Sequence, residues 1–312
     1  MPPPSPSVHR AVVARVDFRA CVLHSAAGAP VDATVQGKLM GRGRSLGNTL
    51  VVGDVAHYVE EGGRAVVTEV EPRRNTFSRR GAGERGEEQV VAANLDQVVV
   101  VAAIVDPPFR AGLVDRILCQ AEHAGIPARL ALNKCDLATD ADVQALLDDY
   151  GRAGYAAHRV CARTGEGVEA LKLACQGLRT LFTGHSGVGK STLLNALAPG
   201  LELIAGRVNA VTGKGRHTTS AAWLITPEPG LDLIDTPGVR SFGLWGIEAR
   251  DLAQAYPELR GHVGGCRFGD CRHDTEPGCA LRAAAEAGEI SALRWESFRK
   301  LRAELEGETA RR

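Results

Sequence analysis

Apolar and polar positions alternate through residues 9–24, HRAVVARVDFRACVLH, the period of half-buried β-strands. The following segments up to Glu71 stay short and are cut by SAAGAP, GRGRSLGN, VVGD and EEGG. About five short strands set off by glycine-rich turns predict a small barrel of the OB type over residues 8–71, after a disordered tail at 1–7. Residues 72–88, PRRNTFSRRGAGERGEE, show no apolar period and predict an exposed, mobile basic linker.

From Gln89 the pattern changes. LDQVVVVAAIVD reads as a buried strand and GLVDRILCQAEHAG as a helix. PARLAL, YAAHRV, LRTLFTG and LDLI continue the strands, while ADVQALLDDYGRAG, GVEALKLAC and STLLNAL supply helices. This alternation predicts a multidomain α/β protein whose central domain, residues 89–245, is a parallel sheet with helices on both faces. After Gly238 the strands stop, and residues 246–312 read as a polar helical module.

Composition narrows the setting. Lysine plus arginine and aspartate plus glutamate number 37 each among 312 residues, so a nucleic-acid partner is not announced by overall charge. Any such contact must use local clusters: Lys38, Arg42 and Arg44; Arg73, Arg74, Arg79 and Arg80; Arg207, Lys214 and Arg216. The longest apolar run, Val98–Val105, is far short of the roughly 20 residues of a spanning helix, and MPPPSPS lacks the features of a signal peptide. A cytoplasmic protein with no membrane contact is expected, and disulfides are rare in that compartment.

GHSGVGKS, comprising Gly184, His185, Ser186, Gly187, Val188, Gly189, Lys190 and Ser191, matches the phosphate-loop pattern between a strand and a helix. Its glycines let backbone N–H groups wrap a phosphate chain, and the helix N-terminus adds positive potential. Lys190 reaches the β- and γ-phosphates, and Ser191 ligates Mg²⁺. His185 occupies a variable position and reads as solvent-facing. This loop alone does not separate ATP from GTP.

Asn133-Lys134-Cys135-Asp136 does separate them. The Asp136 carboxylate accepts two hydrogen bonds from guanine N1–H and the 2-amino group, which adenine cannot offer. Asn133 supports the loop and the base edge, and the Lys134 stem covers the ring. Cys161-Ala162-Arg163 fits the companion loop whose backbone amide meets guanine O6, with Cys161 where serine is usual.

Asp235-Thr236-Pro237-Gly238 closes LDLI. Asp235 is expected to hold Mg²⁺ through water and the Gly238 amide to sense the γ-phosphate. NAVTGKGRHTTS has the composition of a switch loop, with Thr218 or Thr219 as the further Mg²⁺ contact and His217 as a catalytic candidate beside them. Val239 stands where Ras-like enzymes carry a water-orienting glutamine, so slow unaided hydrolysis is expected. The base-reading loops precede the phosphate loop, the reverse of the Ras order, which a circular permutation reconciles with one sheet.

Cys266, Cys271, His273 and Cys279 supply three thiols and an imidazole within fourteen residues, a structural zinc set with no open position. His262 is a possible substitute ligand. The other cysteines, Cys21, Cys119, Cys135, Cys161 and Cys175, lie in apolar surroundings.

Together, GKL, VVGD, PRRNTFSRR, QVVAANLD, NKCDL, GHSGVGKST, GRHTTS, DTPGVRSFGL and the CX4CXHX5C knuckle closely resemble the RsgA (YjeQ/EngC) family of small ribosomal subunit biogenesis GTPases. The resemblance runs from about Arg10 through the knuckle. It implies a GTPase that docks on the small ribosomal subunit and its rRNA late in assembly, is stimulated by the subunit, and is released after hydrolysing GTP to GDP; a monomer is expected. It carries guanine contacts onto Asn133, Lys134 and Asp136, phosphate contacts onto Gly184 through Thr192, and zinc onto the four knuckle residues. On the residues alone, a permuted GTPase with another target and a zinc-containing RNA-binding module with little turnover also stay open.

Overall fold

A computed structural model describes residues 7–18, 20–25, 29–39, 48–81, 86–200 and 222–309. The chain groups into two compact units. The first comprises Met1–Gln97, Cys175–Thr183 and Ala198–Pro237, and the second Val98–Ala174, Gly184–Leu197 and Gly238–Arg312.

In the first unit, β1 (Val8–Val16), β2 (Ala20–Ser25), β3 (Pro30–Val35), β4 (Val55–Glu61) and β5 (Arg64–Val70) form the expected five-stranded barrel. Its order β1-β2-β3-β5-β4 closes back on β1, so among the described residues no barrel edge is left bare. The alternation along β1 and β2 turns Val13, Cys21 and Leu23 inward against Ala56, Tyr58 and Val67.

The described part of 72–88, residues 72–81 and 86–88, is not the exposed linker that its charge predicts. β6 (Thr76–Arg80) pairs with β7 (Glu88–Ala93) in an antiparallel hairpin, with Phe77 fully buried. Two arginines of this segment bond carboxylates of the protein: Arg73 grips the buried Asp54 carboxylate at 2.7 and 2.9 Å, and Arg74 pairs with Asp96 at 2.7 Å. Periodicity could not reveal this, because the one apolar anchor is flanked by guanidiniums whose partners lie some 20 residues away.

The remaining strands of this unit depart from the parallel expectation at one point. β11 (Leu178–Gly184) and β13 (Leu231–Asp235) are parallel, but β12 (Trp223–Ile225) runs antiparallel to β13. Arg15 of β1 pairs with Trp223, joining barrel and sheet edge.

In the second unit, β8 (Gln97–Ala103), β9 (Ala128–Asn133) and β10 (Ala156–Arg159) are parallel neighbours. Every residue of β8 is buried, as its unbroken apolar run requires. α1 (Ala111–His123) and α2 (Asp140–Arg152) make the crossovers, and α3 (Val168–Cys175) follows β10. Thr139 caps α2 by accepting from the Asp142 amide at 3.2 Å, with Asp140 and Asp142 favourably placed in the first turn. α4 (Lys190–Leu197) continues from the phosphate loop.

Beyond Gly238 the described chain is helical, with α5 (Pro257–Arg260), α6 (Ala280–Glu286) and α7 (Ala292–Thr309). α7 is held by Arg294, which is 1% exposed. Its guanidinium bonds both Glu258 oxygens at 2.6 and 3.2 Å, also bonds Asp115 of α1, and lies over the rings of Tyr150, Tyr155 and Tyr256. Among the described residues, no helix is long and apolar enough to cross a membrane.

Candidate guanine nucleotide site and metal centre

Strand β11 ends at Gly184 and α4 begins at Lys190, so the phosphate loop sits at the carboxyl end of a strand and the amino end of a helix. Two of its glycines are demanded by space. A Cβ on Gly184 would lie 2.1 Å from the Val101 carbonyl oxygen, and one on Gly189 (φ +86°) only 2.5 Å from Asn133 Nδ2. Lys190 is buried, while Ser191 and Thr192 are exposed at the start of α4. His185 is half-buried, its Nδ1 2.6 Å from the Ser186 carbonyl oxygen.

Asn133, 2% exposed, stitches three loops together. Its Nδ2 donates to the Val188 carbonyl in the phosphate loop at 2.9 Å, and its Oδ1 accepts from the Ala162 amide at 3.0 Å. Within the Cys161-Ala162-Arg163 loop, from which a backbone amide is expected to meet guanine O6, the Ala162 amide thus bonds Asn133 here. Lys134 follows in the left-handed region at φ +61°, and its Nζ donates to the Asp106 carbonyl. Its Cε lies 3.7 Å from a Cβ built on Gly189, so the lysine stem runs beside the phosphate loop. Cys135 is buried beneath, donating to the Leu132 carbonyl at 3.0 Å.

Asp136 is the carboxylate at the end of this series. Its Oδ1 accepts from Cys161 Sγ at 3.0 Å and its Oδ2 from Arg163 Nη2 at 2.6 Å. These two bonds, Cys161 first and then Arg163, hold its carboxyl below the ordinary aspartate range. The acceptor is therefore ionised and aimed at N–H donors. The sulfur at position 161 retains a donor to Asp136, so the departure from serine leaves that link intact. Arg163 was not singled out from sequence, and the only signal available was its place immediately after Cys161-Ala162.

Gly238 and Val239 pack on the phosphate loop. The Val239 amide donates to the Gly184 carbonyl at 2.9 Å, and the Val239 carbonyl accepts from the Ser186 amide at 3.3 Å. A Cβ on Gly238 would fall 2.9 Å from Ser186 Cα, so the approach is as close as glycine allows. Asp235 is the last residue of β13, half-buried and paired with Phe182 of β11. Thr236 is buried and donates to the Phe182 carbonyl at 2.8 Å, an anchor for the turn that the motif did not announce. His217, Thr218 and Thr219 lie outside the described residues, as do Arg42, Arg44, Arg207, Lys214, Arg216 and the Lys38 side chain.

The four knuckle residues converge. One ligand atom each from Cys266, Cys271, His273 and Cys279 falls within 4.8 Å of the others. His273 Nδ1 is 3.4 Å from Cys266 Sγ and 3.6 Å from Cys279 Sγ. A tetrahedral zinc with ordinary Zn–S and Zn–N bonds has sulfur–nitrogen edges of about 3.5 Å, so the donors fit that ion in number, type and spacing. Cys279 also caps α6, its sulfur accepting from the Arg282 amide. Glu276 braces the loop by accepting from the Arg272 and Asp274 amides at 3.1 and 2.9 Å; the Asp274 bond, followed by its own amide, draws its carboxyl down to about 2. His262 faces Glu289 at 3.5 Å and stands outside the cluster.

Comparison with known proteins agrees with this geometry. The family model for RsgA GTPase matches residues 70–245. A "Small ribosomal subunit biogenesis GTPase RsgA" from Gemmatimonas aurantiaca is 45% identical over 83% of this chain and 85% of its own length. A relative so named from Azotobacter vinelandii is 44% identical over 82% and 75%, and one from Bacteroides fragilis 38% identical over 87% and 89%. The crystal structure of YjeQ from Thermotoga maritima superposes with a TM-score of 0.76 at 29% identity, covering 96% of this chain and 99% of that one. YloQ, described as a circularly permuted GTPase, gives 0.71 at 25% identity, covering 97% and 96%. An N-K-x-D loop that precedes the G-x-x-x-x-G-K-S loop and physically touches it, on a chain matched along most of its length, has one consistent reading: the protein belongs to the RsgA family of circularly permuted GTPases.

Proposed function

We propose that this GTPase binds the small ribosomal subunit and assists its late maturation, hydrolysing GTP to GDP and phosphate slowly alone and faster on the subunit. The observation carrying the nucleotide reading is Asn133, whose amide spans the phosphate loop and the Cys161-Ala162 loop beside the ionised Asp136. A ligand lying across these loops needs a guanine-like edge at one end and a phosphate chain at the other. The relatives' names, which specify small-subunit biogenesis, support the ribosomal target.

Within the site, Lys190 and the loop amides bind the phosphates, and Asp136 selects the base. Ser191, exposed in the first turn of α4, would hold the Mg²⁺ that accompanies GTP and neutralises charge on its phosphates. Asp235 keeps the role its D-x-x-G position gives it. Val239 is 8% exposed and apolar, so it cannot orient water, which supports slow intrinsic turnover and a catalytic group supplied by the switch segment or by the subunit. His217 remains the internal candidate for that group. The deciding measurement is GTP turnover by the monomeric protein with and without purified small subunits. Stimulation of about tenfold or more is expected, and turnover unchanged by subunits, together with failure to cosediment in a non-hydrolysable GTP analogue, would sink the ribosomal assignment.

The knuckle is read as a structural Cys₃His zinc site, closed to catalysis by its full set of protein ligands. Purified protein should contain one zinc per chain, lost in Cys271→Ser. Chelation should melt the segment around Cys266–Cys279 while guanine binding persists, as read by hydrogen exchange. Retention of native protection there without metal would remove zinc from the account.

A further inference from the structure

The carboxylate assigned to guanine already has a partner within the chain. Resting on the nucleotide reading above, we propose that Arg163 is an internal stand-in for guanine, competing with the base for Asp136 Oδ2 and thereby setting how fast and how tightly guanine nucleotides bind.

The chemistry is specific. The N1–C2–N2 edge of guanine is a cyclic guanidine: a planar carbon bearing nitrogens whose N–H bonds point the same way. An arginine side chain ends in the open form of that group. A carboxylate placed to recognise one recognises the other, and Arg163 Nη2 stands 2.6 Å from Asp136 Oδ2.

The two bonds to Asp136 differ in kind. Cys161 is 1% exposed and reaches Oδ1 from within the protein at 3.0 Å. That oxygen has a second lone pair, so the thiol can stay when a base arrives. Arg163 reaches Oδ2 from solvent, with its side chain 76% exposed against 17% for Asp136. Asp136 lies at the surface with Arg163 on its Oδ2, so a base that takes this oxygen must displace the guanidinium. Cys161 is therefore a fixed support and Arg163 a removable occupant.

An exposed pair of this kind is weak, so the expected effect is kinetic and modest. It also fades with salt, because screening weakens the internal pair but not a hydrogen-bonded neutral base. Arg163→Met keeps the stem and deletes every donor, and Arg163→Lys keeps the charge without the planar fork. The exposure of Arg163 makes either change compatible with folding.

Stopped-flow binding of a fluorescent GDP analogue to the full chain tests the proposal. In Arg163→Met, association should be about threefold faster and affinity about threefold higher at low ionic strength, the gain shrinking by about 0.5 M salt. Arg163→Lys should fall between the variant and the parent. In an Asp136→Asn background, probed with the xanthosine diphosphate analogue, Arg163→Met should change little, because the carboxylate it contests is gone. Unchanged or weaker GDP binding in Arg163→Met would overturn the proposal, as would an equal gain in the asparagine background. A parent protein that binds no guanine nucleotide would instead bring down the nucleotide reading, and this inference with it.

Discussion

Asp136→Asn should move nucleotide preference from GTP to xanthosine triphosphate by about three powers of ten or more. Guanine offers two N–H donors, which the two carboxylate oxygens accept. An asparagine amide offers one acceptor and one donor, so its NH₂ would face the guanine 2-amino group, donor against donor. Xanthine carries a carbonyl oxygen at that position and restores the match. Polar groups left unpaired in a tight site account for the size of the effect. The supports around position 136 should survive the change, since the Cys161 thiol can still donate to the asparagine oxygen and Asn133 still ties the neighbouring loops. Competition binding with the two nucleotides reads the result directly, and selectivity for GTP that persists in the variant refutes the assignment of Asp136.

Arg294→Met should cost about 3–5 kcal/mol of stability. The substitution removes the only cation among those contacts that bonds both Asp115, which is fully buried, and Glu258, which is 6% exposed in its side chain. Two buried carboxylates would then lie beside Tyr150, Tyr155 and Tyr256 without that cation, Asp115 keeping neutral donors such as the Tyr150 hydroxyl at 2.9 Å. Burial already pushes the Asp115 carboxyl up, with Arg294 opposing it. Without the guanidinium its folded pKa rises further above the unfolded value. A group raised in this way binds more protons folded than unfolded, so stability falls as pH climbs past the ordinary aspartate value of about 3.9. The deficit should accordingly be larger at neutral pH than near pH 4. Urea unfolding at several pH values measures it. A loss under about 1 kcal/mol would mean that the network behaves like a surface ion pair. Converting Asp115, Glu258 and Arg294 together to apolar residues of similar volume should recover much of the loss, because no unpaired charge then remains.

These two residues illustrate what could be read in advance. Asp136 was legible because N-K-x-D is contiguous and its chemistry depends on residue types at fixed spacing. Arg294 was not, although its role is as definite. Its partner Asp115 is 179 positions away, and α7 around it has the look of a solvated charged helix. The same limit explains residues 72–88: guanidiniums that read as a mobile basic linker are bound to Asp54 and Asp96, and Phe77 supplies a core contact too isolated to make a pattern. β12 was missed for another reason, since three residues are too few to show a period.

Those bound arginines also thin the basic surface expected for rRNA. Arg73 and Arg74 hold the protein's own carboxylates and carbonyls, and Arg79 donates to Gln89 at 3.0 Å. Charge counted along a chain overstates what a partner can use, because an arginine near a recessed carboxylate is satisfied before any phosphate arrives.

From its sequence alone this protein had its barrel, its strand-and-helix alternation, its nucleotide loops with their permuted order, and its four thiol and imidazole donors. Each is written in short-range spacing, where the backbone of a few neighbouring residues already fixes the geometry. Only the tertiary structure decided that Asn133 joins three loops, that Arg163 bonds Asp136, and that Arg294 sits buried between two acids. Such pairings depend on which distant polar groups the folded chain brings together, and for buried ones such as Arg294 the energy that selects them is absent until the chain has closed around them.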